Sequence, residues 1–88
     1  MRVFVRLYAR LRQEVSPAIL ASVPASQDPG SPLEVSLAAG STVADLLAYL
    51  GLPASSARII FVNGISRDLR HPLAPDDEVG IFPAIGGG

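Results

Sequence analysis

Cysteine and lysine are both missing from this 88-residue sequence, and it has a single histidine. Without cysteine there can be no disulfide, no thiolate nucleophile and no zinc–cysteine site. Any sulfur chemistry must therefore use a group other than a side-chain thiol. Without lysine, Schiff-base chemistry on a side chain is impossible, and so is isopeptide attachment to this chain's own side chains. All seven basic residues are arginine, and the α-amine of Met1 is the remaining primary amine. Long apolar runs are lacking too, since none approaches the roughly 20 residues needed to span a bilayer. Met1 to Arg6 alternates charged with apolar residues and has no uninterrupted signal-peptide core. This pattern is expected of a soluble, cytoplasmic protein.

What is present suits one small domain, near the lower size limit for independent folding. Hydrophobic residues make up 49% and charged residues 17%, a globular balance. The net charge of -1 argues against nucleic-acid binding as a main role. Arg2, Arg6, Arg10 and Arg12 crowd the start, whereas Asp76, Asp77 and Glu78 form an acidic run near the end. Both groups are expected on a solvated surface, because charges are rarely buried unpaired.

Strict alternation from Arg2 to Tyr8 predicts a strand with Val3, Val5 and Leu7 toward a core. Its other face interleaves Phe4 and Tyr8 with arginines where purely polar residues would serve. Ala9 to Val15 reads as a short helix ended by Pro17. Residues 18–32 contain three prolines, a glycine and several serines, which predicts a surface loop or insertion. Leu33, Val35 and Leu37 alternate with polar residues in a second strand.

A helix over 42–50 is the firmest expectation. Ser41 or Thr42 caps it, Thr42 and Asp45 resemble a capping box, and Gly51 with Pro53 ends it. Val43, Leu46, Leu47 and Leu50 form its core-facing stripe. Arg58 to Val62 reads as a central strand partly buried on both faces, and Asn63-Gly64 as a tight turn. Ile65 to Leu69 is a short strand or extended piece, followed by turns, with Pro75 in the second position of a type I turn. Glu78 to Pro83 is the last strand, with Val79 and Ile81 on one face and Glu78, Gly80 and Phe82 on the other. The order predicts an α+β domain of the β-grasp (ubiquitin-like) type over residues 1–83, a mixed sheet packed on one main helix. Its first and last strands would run parallel in the centre.

No self-contained catalytic constellation is legible. His71 has no converging ligand or carboxylate in sequence and precedes Pro72 in a turn. The serines lack a nucleophile elbow or a partnering base. Consecutive Asp76, Asp77 and Glu78 fan out and suit an exposed turn better than a metal site. Residues 84–88 form a glycine-rich tail that has two readings. It is an inert, frayed end, or the carboxylate of Gly88 is the reactive group and the glycines make a peptide thin enough to thread a partner's pocket. Extended, these five residues reach roughly 17 Å.

The ending Asp76-Asp77-Glu78-Val79, then Ile81-Phe82-Pro83-Ala84-Ile85-Gly86-Gly87-Gly88, resembles that of the MoaD/ThiS family of ubiquitin-like sulfur carriers. The likeness extends to Tyr8-Ala9-Arg10-Leu11-Arg12, Ser41-Thr42-Val43, Val62-Asn63-Gly64 and His71-Pro72-Leu73. The Phe82-Pro83 step and the opening motif are similar to the small subunit of molybdopterin synthase.

The resemblance implies that an adenylyltransferase related to ubiquitin-activating enzymes spends ATP to adenylate Gly88. A sulfur donor protein then converts the adenylate to a thiocarboxylate, while Gly87 lets the tail pass. The large synthase subunit, in a heterotetramer with two carriers, transfers that sulfur during molybdenum cofactor synthesis. The small subunit is then inert alone and binds no cofactor, metal, membrane or nucleic acid of its own. Phe82, Tyr8, Phe4 and Gly86 match its docking surface. The 18–32 loop is longer than in compact members, and Gly86 replaces another small residue common in synthase subunits. Sulfur donation to thiamine, cysteine or tRNA thiolation, or attachment to other proteins as a ubiquitin-like modifier, are therefore the alternatives.

Overall fold

Alternation and capping translate directly into the architecture of the computed structural model, which describes residues 1–8, 11, 15, 32–53 and 57–83. Five strands form one sheet: β1 (Arg2–Leu7), β2 (Leu33–Ser36), β3 (Ala57–Val62), β4 (Ile65–Ser66) and β5 (Glu78–Pro83). Their order is β2-β1-β5-β3-β4. β1 and β5 run parallel, and the other neighbours are antiparallel. This is the mixed sheet expected of a β-grasp domain, with the first and last strands paired inside it.

One face of the sheet is dry. Val3 and Val5 of β1, Leu33 and Val35 of β2, Ile60 and Val62 of β3, and Val79 and Ile81 of β5 are all buried. They pack with α1 (Val43–Leu50), whose Val43, Leu46, Leu47 and Leu50 are also buried. Each such aliphatic side chain contributes about 1.5–3 kcal/mol by leaving water. Leu11 and Val15 join the same core. They are the described part of the expected short helix; the rest of that helix, and the loop at 18–32 apart from Pro32, lie outside the described residues.

The start of α1 is fixed as its sequence demands. Thr42 Oγ1 accepts from the Asp45 N–H at 3.3 Å, and Asp45 Oδ2 accepts from the Thr42 N–H at 2.9 Å. Two further helix N–H groups find partners outside the helix, since Val43 donates to the His71 carbonyl and Ala44 to that of Leu69. Gly51 closes the other end with φ 76°, the left-handed conformation that glycine adopts without a Cβ penalty.

β3 is an inner strand, flanked by β5 and β4, and its second face is covered in part as expected, with Phe61 half-buried and Ile59 exposed. Two expectations need correction. The turn at Pro75 is not type I, because Asp76 in its third position has φ 68°, the sign that a type II turn requires. The acidic run is not wholly solvated. Asp77 is only 8% exposed; its Oδ1 accepts from Asn63 Nδ2 at 2.9 Å and its Oδ2 from the Ala74 N–H at 2.8 Å. Asn63 Oδ1 in turn accepts from the Glu78 N–H at 2.9 Å. The Asn63-Gly64 turn, with both residues at positive φ as a type I′ turn requires, is thereby tied to the entry of β5.

Candidate functional site: an aromatic face at the exit of the last strand

The second face of the sheet carries the residues that its alternation turned away from the core. In the parallel register Phe4 lies beside Glu78 and Arg6 beside Gly80. Across β5 on the other side, Phe61 lies beside Gly80 and Ile59 beside Phe82. Phe4, Tyr8, Phe61 and Phe82 therefore share one surface, where with Gly80 they line a shallow trough of about 400 Å³. Arg6, Asn63 and Glu78 supply its polar edge.

Tyr8 follows β1 directly, and its N–H donates to the Ile81 carbonyl at 3.1 Å. This bond carries its ring across β5. The ring stacks on Phe82 with centroids 4.2 Å apart and planes 2° from parallel. Phe61 meets Phe82 edge-on at 5.8 Å. Gly80 lies under the stack: a Cβ built there would sit in ordinary contact with Tyr8 Cε2 at 3.4 Å, so that a bulkier side chain would reach the ring. At the far end of β1, Arg2 lies 5.5 Å over the Phe4 ring and pairs with Glu34 at 2.8 Å.

A second, nearly wholly apolar hollow of about 240 Å³ is lined by Ile59, Phe61, Phe82 and Pro83. Pro83 is the last residue of β5, so the apolar surface reaches the end of that strand. Phe4, Tyr8 and Phe82, singled out from the sequence, are thus brought together. Gly86, expected at the docking surface, and Gly87 and Gly88, expected to carry the chemistry, lie outside the described residues. Sequence reasoning missed Phe61, although its alternation with the buried Ile60 and Val62 was the available signal.

Among the described residues no group of histidines and carboxylates could hold a metal ion, and no helix is long and apolar enough to cross a membrane. His71 is half-buried and uses its backbone carbonyl to accept from the Val43 N–H. The arrangement is suited to docking an apolar protein surface, because it is aromatic at its centre and polar at its edge.

The comparisons agree with this architecture. Three solved structures match over almost their full length. The crystal structure of SAMP1 from Haloferax volcanii is 22% identical, with a TM-score of 0.64 and complete coverage of both chains. A second structure of that organism's small archaeal modifier protein 1 is 17% identical, with a TM-score of 0.62, covering 96% of this chain and 98% of that one. A protein from Pyrococcus furiosus described as molybdopterin converting factor, subunit 1, is 22% identical with a TM-score of 0.66, covering 97% of this chain and 99% of that one. At these identities the likeness is one of fold. No curated protein matches the sequence. The ThiS family model, however, matches residues 22–88, about three quarters of the chain, and the chain belongs to that family of ubiquitin-like sulfur carriers.

Proposed function

We propose that this protein carries sulfur as a thiocarboxylate on Gly88 and delivers it, as the small subunit of molybdopterin synthase, to molybdenum cofactor synthesis. The observation that carries the reading is the stacked Tyr8–Phe82 pair at the exit of β5, on a ThiS-family domain. It gives a partner an apolar anchor beside the point from which residues 84–88 depart.

The chemistry follows from the weakness of a carboxylate as an acyl donor, since its own leaving group is oxide or hydroxide. A partner adenylyltransferase joins the Gly88 carboxylate to the α-phosphate of ATP and releases pyrophosphate. A persulfide sulfur from a donor protein displaces AMP to give an acyl disulfide. A thiol then reduces this to the thiocarboxylate. The carrier contributes the acyl group and the docking face, and it binds no cofactor itself. The reaction is placed by this proposal in the cytoplasm, where ATP is at hand. The large synthase subunit is the proposed sulfur acceptor complex, assembled with two carriers.

Intact mass tests the first half of this reading. Incubation with the cognate adenylyltransferase, ATP, a persulfide donor and a reducing thiol should raise the mass by the difference between sulfur and oxygen, and an unchanged mass overturns the proposal. Co-purification of the large synthase subunit tests the second half. Recovery of an enzyme of thiamine, cysteine or tRNA thiolation instead would redirect the sulfur.

The likeness to small archaeal modifier protein 1 favours a second reading, attachment of Gly88 to amines of other proteins. A chain without lysine suits single attachments and not lysine-linked chains. Peptides bearing the Gly88 carboxyl in isopeptide linkage would establish this reading.

A further inference from the structure

The aromatic face ends at β4, where Phe61 pairs with Ser66 across the antiparallel register, so that both side chains share the open face. Beyond Ser66 the chain turns away, and Ser66, Arg67, Asp68, Arg70 and His71 line a groove of about 260 Å³. Its backbone is held from three sides. The Arg67 N–H donates to the Ile60 carbonyl at 2.9 Å, and the His71 N–H to that of Asp68 at 3.2 Å. The carbonyls of Leu69 and His71 accept from the first N–H groups of α1. Asp68 turns its Oδ1 onto the Arg70 N–H at 2.9 Å.

The two guanidinium groups are differently placed from that of Arg2, which is paired with Glu34 and Asp76. Among the described residues, neither the Arg67 nor the Arg70 side chain forms an ion pair. A loop with a fixed backbone therefore presents two forked cationic donors, with the Ser66 hydroxyl between them and the aromatic face. Guanidinium forks match carboxylates in bidentate geometry.

We propose that this groove receives an acidic segment, a run of Asp and Glu side chains, of the protein partner that docks on the adjoining aromatic face. The inference rests on the docking reading of that face and adds the chemistry of the partner at its β4 edge. Nucleic acid fits less well. The chain has a net charge of -1, and a polyanion continuing across the sheet would meet Glu78 at the edge of the trough. Exposed charges of this kind steer encounter and orient a partner more than they add affinity.

The test begins with the carrier alone. A short blocked polyglutamate peptide is titrated into isotopically labelled protein and followed by NMR, with polyglutamine and a single-stranded oligoribonucleotide as parallel probes. Saturable shifts confined to residues 66–71, weakening as salt is added, are expected for polyglutamate alone. Arg67→Gln with Arg70→Gln should weaken this binding about tenfold. Asp68→Asn keeps an acceptor for the Arg70 N–H while removing the charge, and should strengthen it. Shifts spread evenly over Arg2 and Arg6, equal binding of polyglutamine, or tighter binding of the oligoribonucleotide would each overturn the proposal. Affinity for the cognate adenylyltransferase and the large synthase subunit then separates the two readings. If Tyr8→Ala weakens docking and the double arginine variant leaves it unchanged, the groove proposal fails while the aromatic face stands. If Tyr8→Ala has no effect on either partner, the docking reading itself fails.

Discussion

The ring of Tyr8 lies parallel to that of Phe82 at a centroid distance of 4.2 Å, joining the end of β1 to the exit of β5. Tyr8 is 40% exposed, so the stack stands mostly outside the core. Aromatic pairs contribute about 0.5–1.5 kcal/mol beyond their buried area. Tyr8→Ala should therefore lower folding stability by about 1 kcal/mol, within the range of that pair. A central aromatic anchor of an interface is worth more, about 2 kcal/mol or above. Calorimetric titration with the adenylyltransferase or the large synthase subunit should accordingly show binding at least tenfold weaker. Equal losses in folding and docking would reduce the stack to a structural feature.

Gly80 lies directly beneath the Tyr8 ring. Its φ is not positive, so alanine is conformationally acceptable there, and the added Cβ would sit 3.4 Å from Tyr8 Cε2, an ordinary contact distance. Gly80→Ala should be neutral or stabilise by up to about 1 kcal/mol through lower unfolded-chain entropy. Gly80→Val places a branched side chain where the Tyr8 ring lies and should unstack it. Ring-current shifts of the Phe82 protons would report the difference, and their persistence in the valine variant would contradict it.

Much of this arrangement was legible in the sequence because it follows from short-range rules. Strand alternation separated Val3 and Val5 from Phe4 and Tyr8, and the spacing of Val43, Leu46, Leu47 and Leu50 gave the buried stripe of α1. Thr42, Asp45 and Gly51 marked the ends of α1 through interactions within a few residues. Sheet order was harder, since Arg58 to Val62 is apolar on both faces and nothing local says that β5 lies between β1 and β3. Alternation set Phe61 opposite Ile60 and Val62, but with both faces apolar it did not say which of them α1 covers, and Phe61 was missed. Asp77 was misjudged because its partners are Asn63, in a distant turn, and a backbone N–H. Composition places an acidic run in water, and only tertiary structure supplies such donors.

Asp77 makes a separate prediction about stability. Replacing it with alanine leaves the Ala74 N–H and Asn63 Nδ2 without their acceptor in a partly buried place. Each such loss costs about 1–3 kcal/mol, a large part of the roughly 5–15 kcal/mol that holds a small domain together. Urea denaturation should show a clearly lower midpoint for Asp77→Ala. Asp76→Ala should show a smaller change, because that carboxylate is exposed and only 3.8 Å from Arg2 as a surface ion pair. A reversed ranking would mean that the Asn63–Asp77 link does not hold the entry of β5.

The tail should behave in the opposite way, mattering for transfer and not for folding. Among the described residues the buried core runs through Ile81, and glycine at position 87 has no side chain to add to it. Gly87→Val should therefore leave the denaturation midpoint nearly unchanged, within about 0.5 kcal/mol. If the adenylyltransferase admits residues 84–88 through a channel fitted to bare backbone, a branched side chain beside Gly88 meets its wall before the carboxylate reaches ATP. Sulfuration followed by intact mass should then fall in the order glycine, alanine, valine at position 87, by at least tenfold at the last step, about 1.4 kcal/mol of barrier. Deletion of Gly88 separates channel width from reach. It keeps a thin tail but withdraws the carboxylate by one residue, roughly 3.5 Å, and should abolish sulfuration altogether. A valine variant that is sulfurated as fast as the parent protein would show that the glycines serve some purpose other than passage.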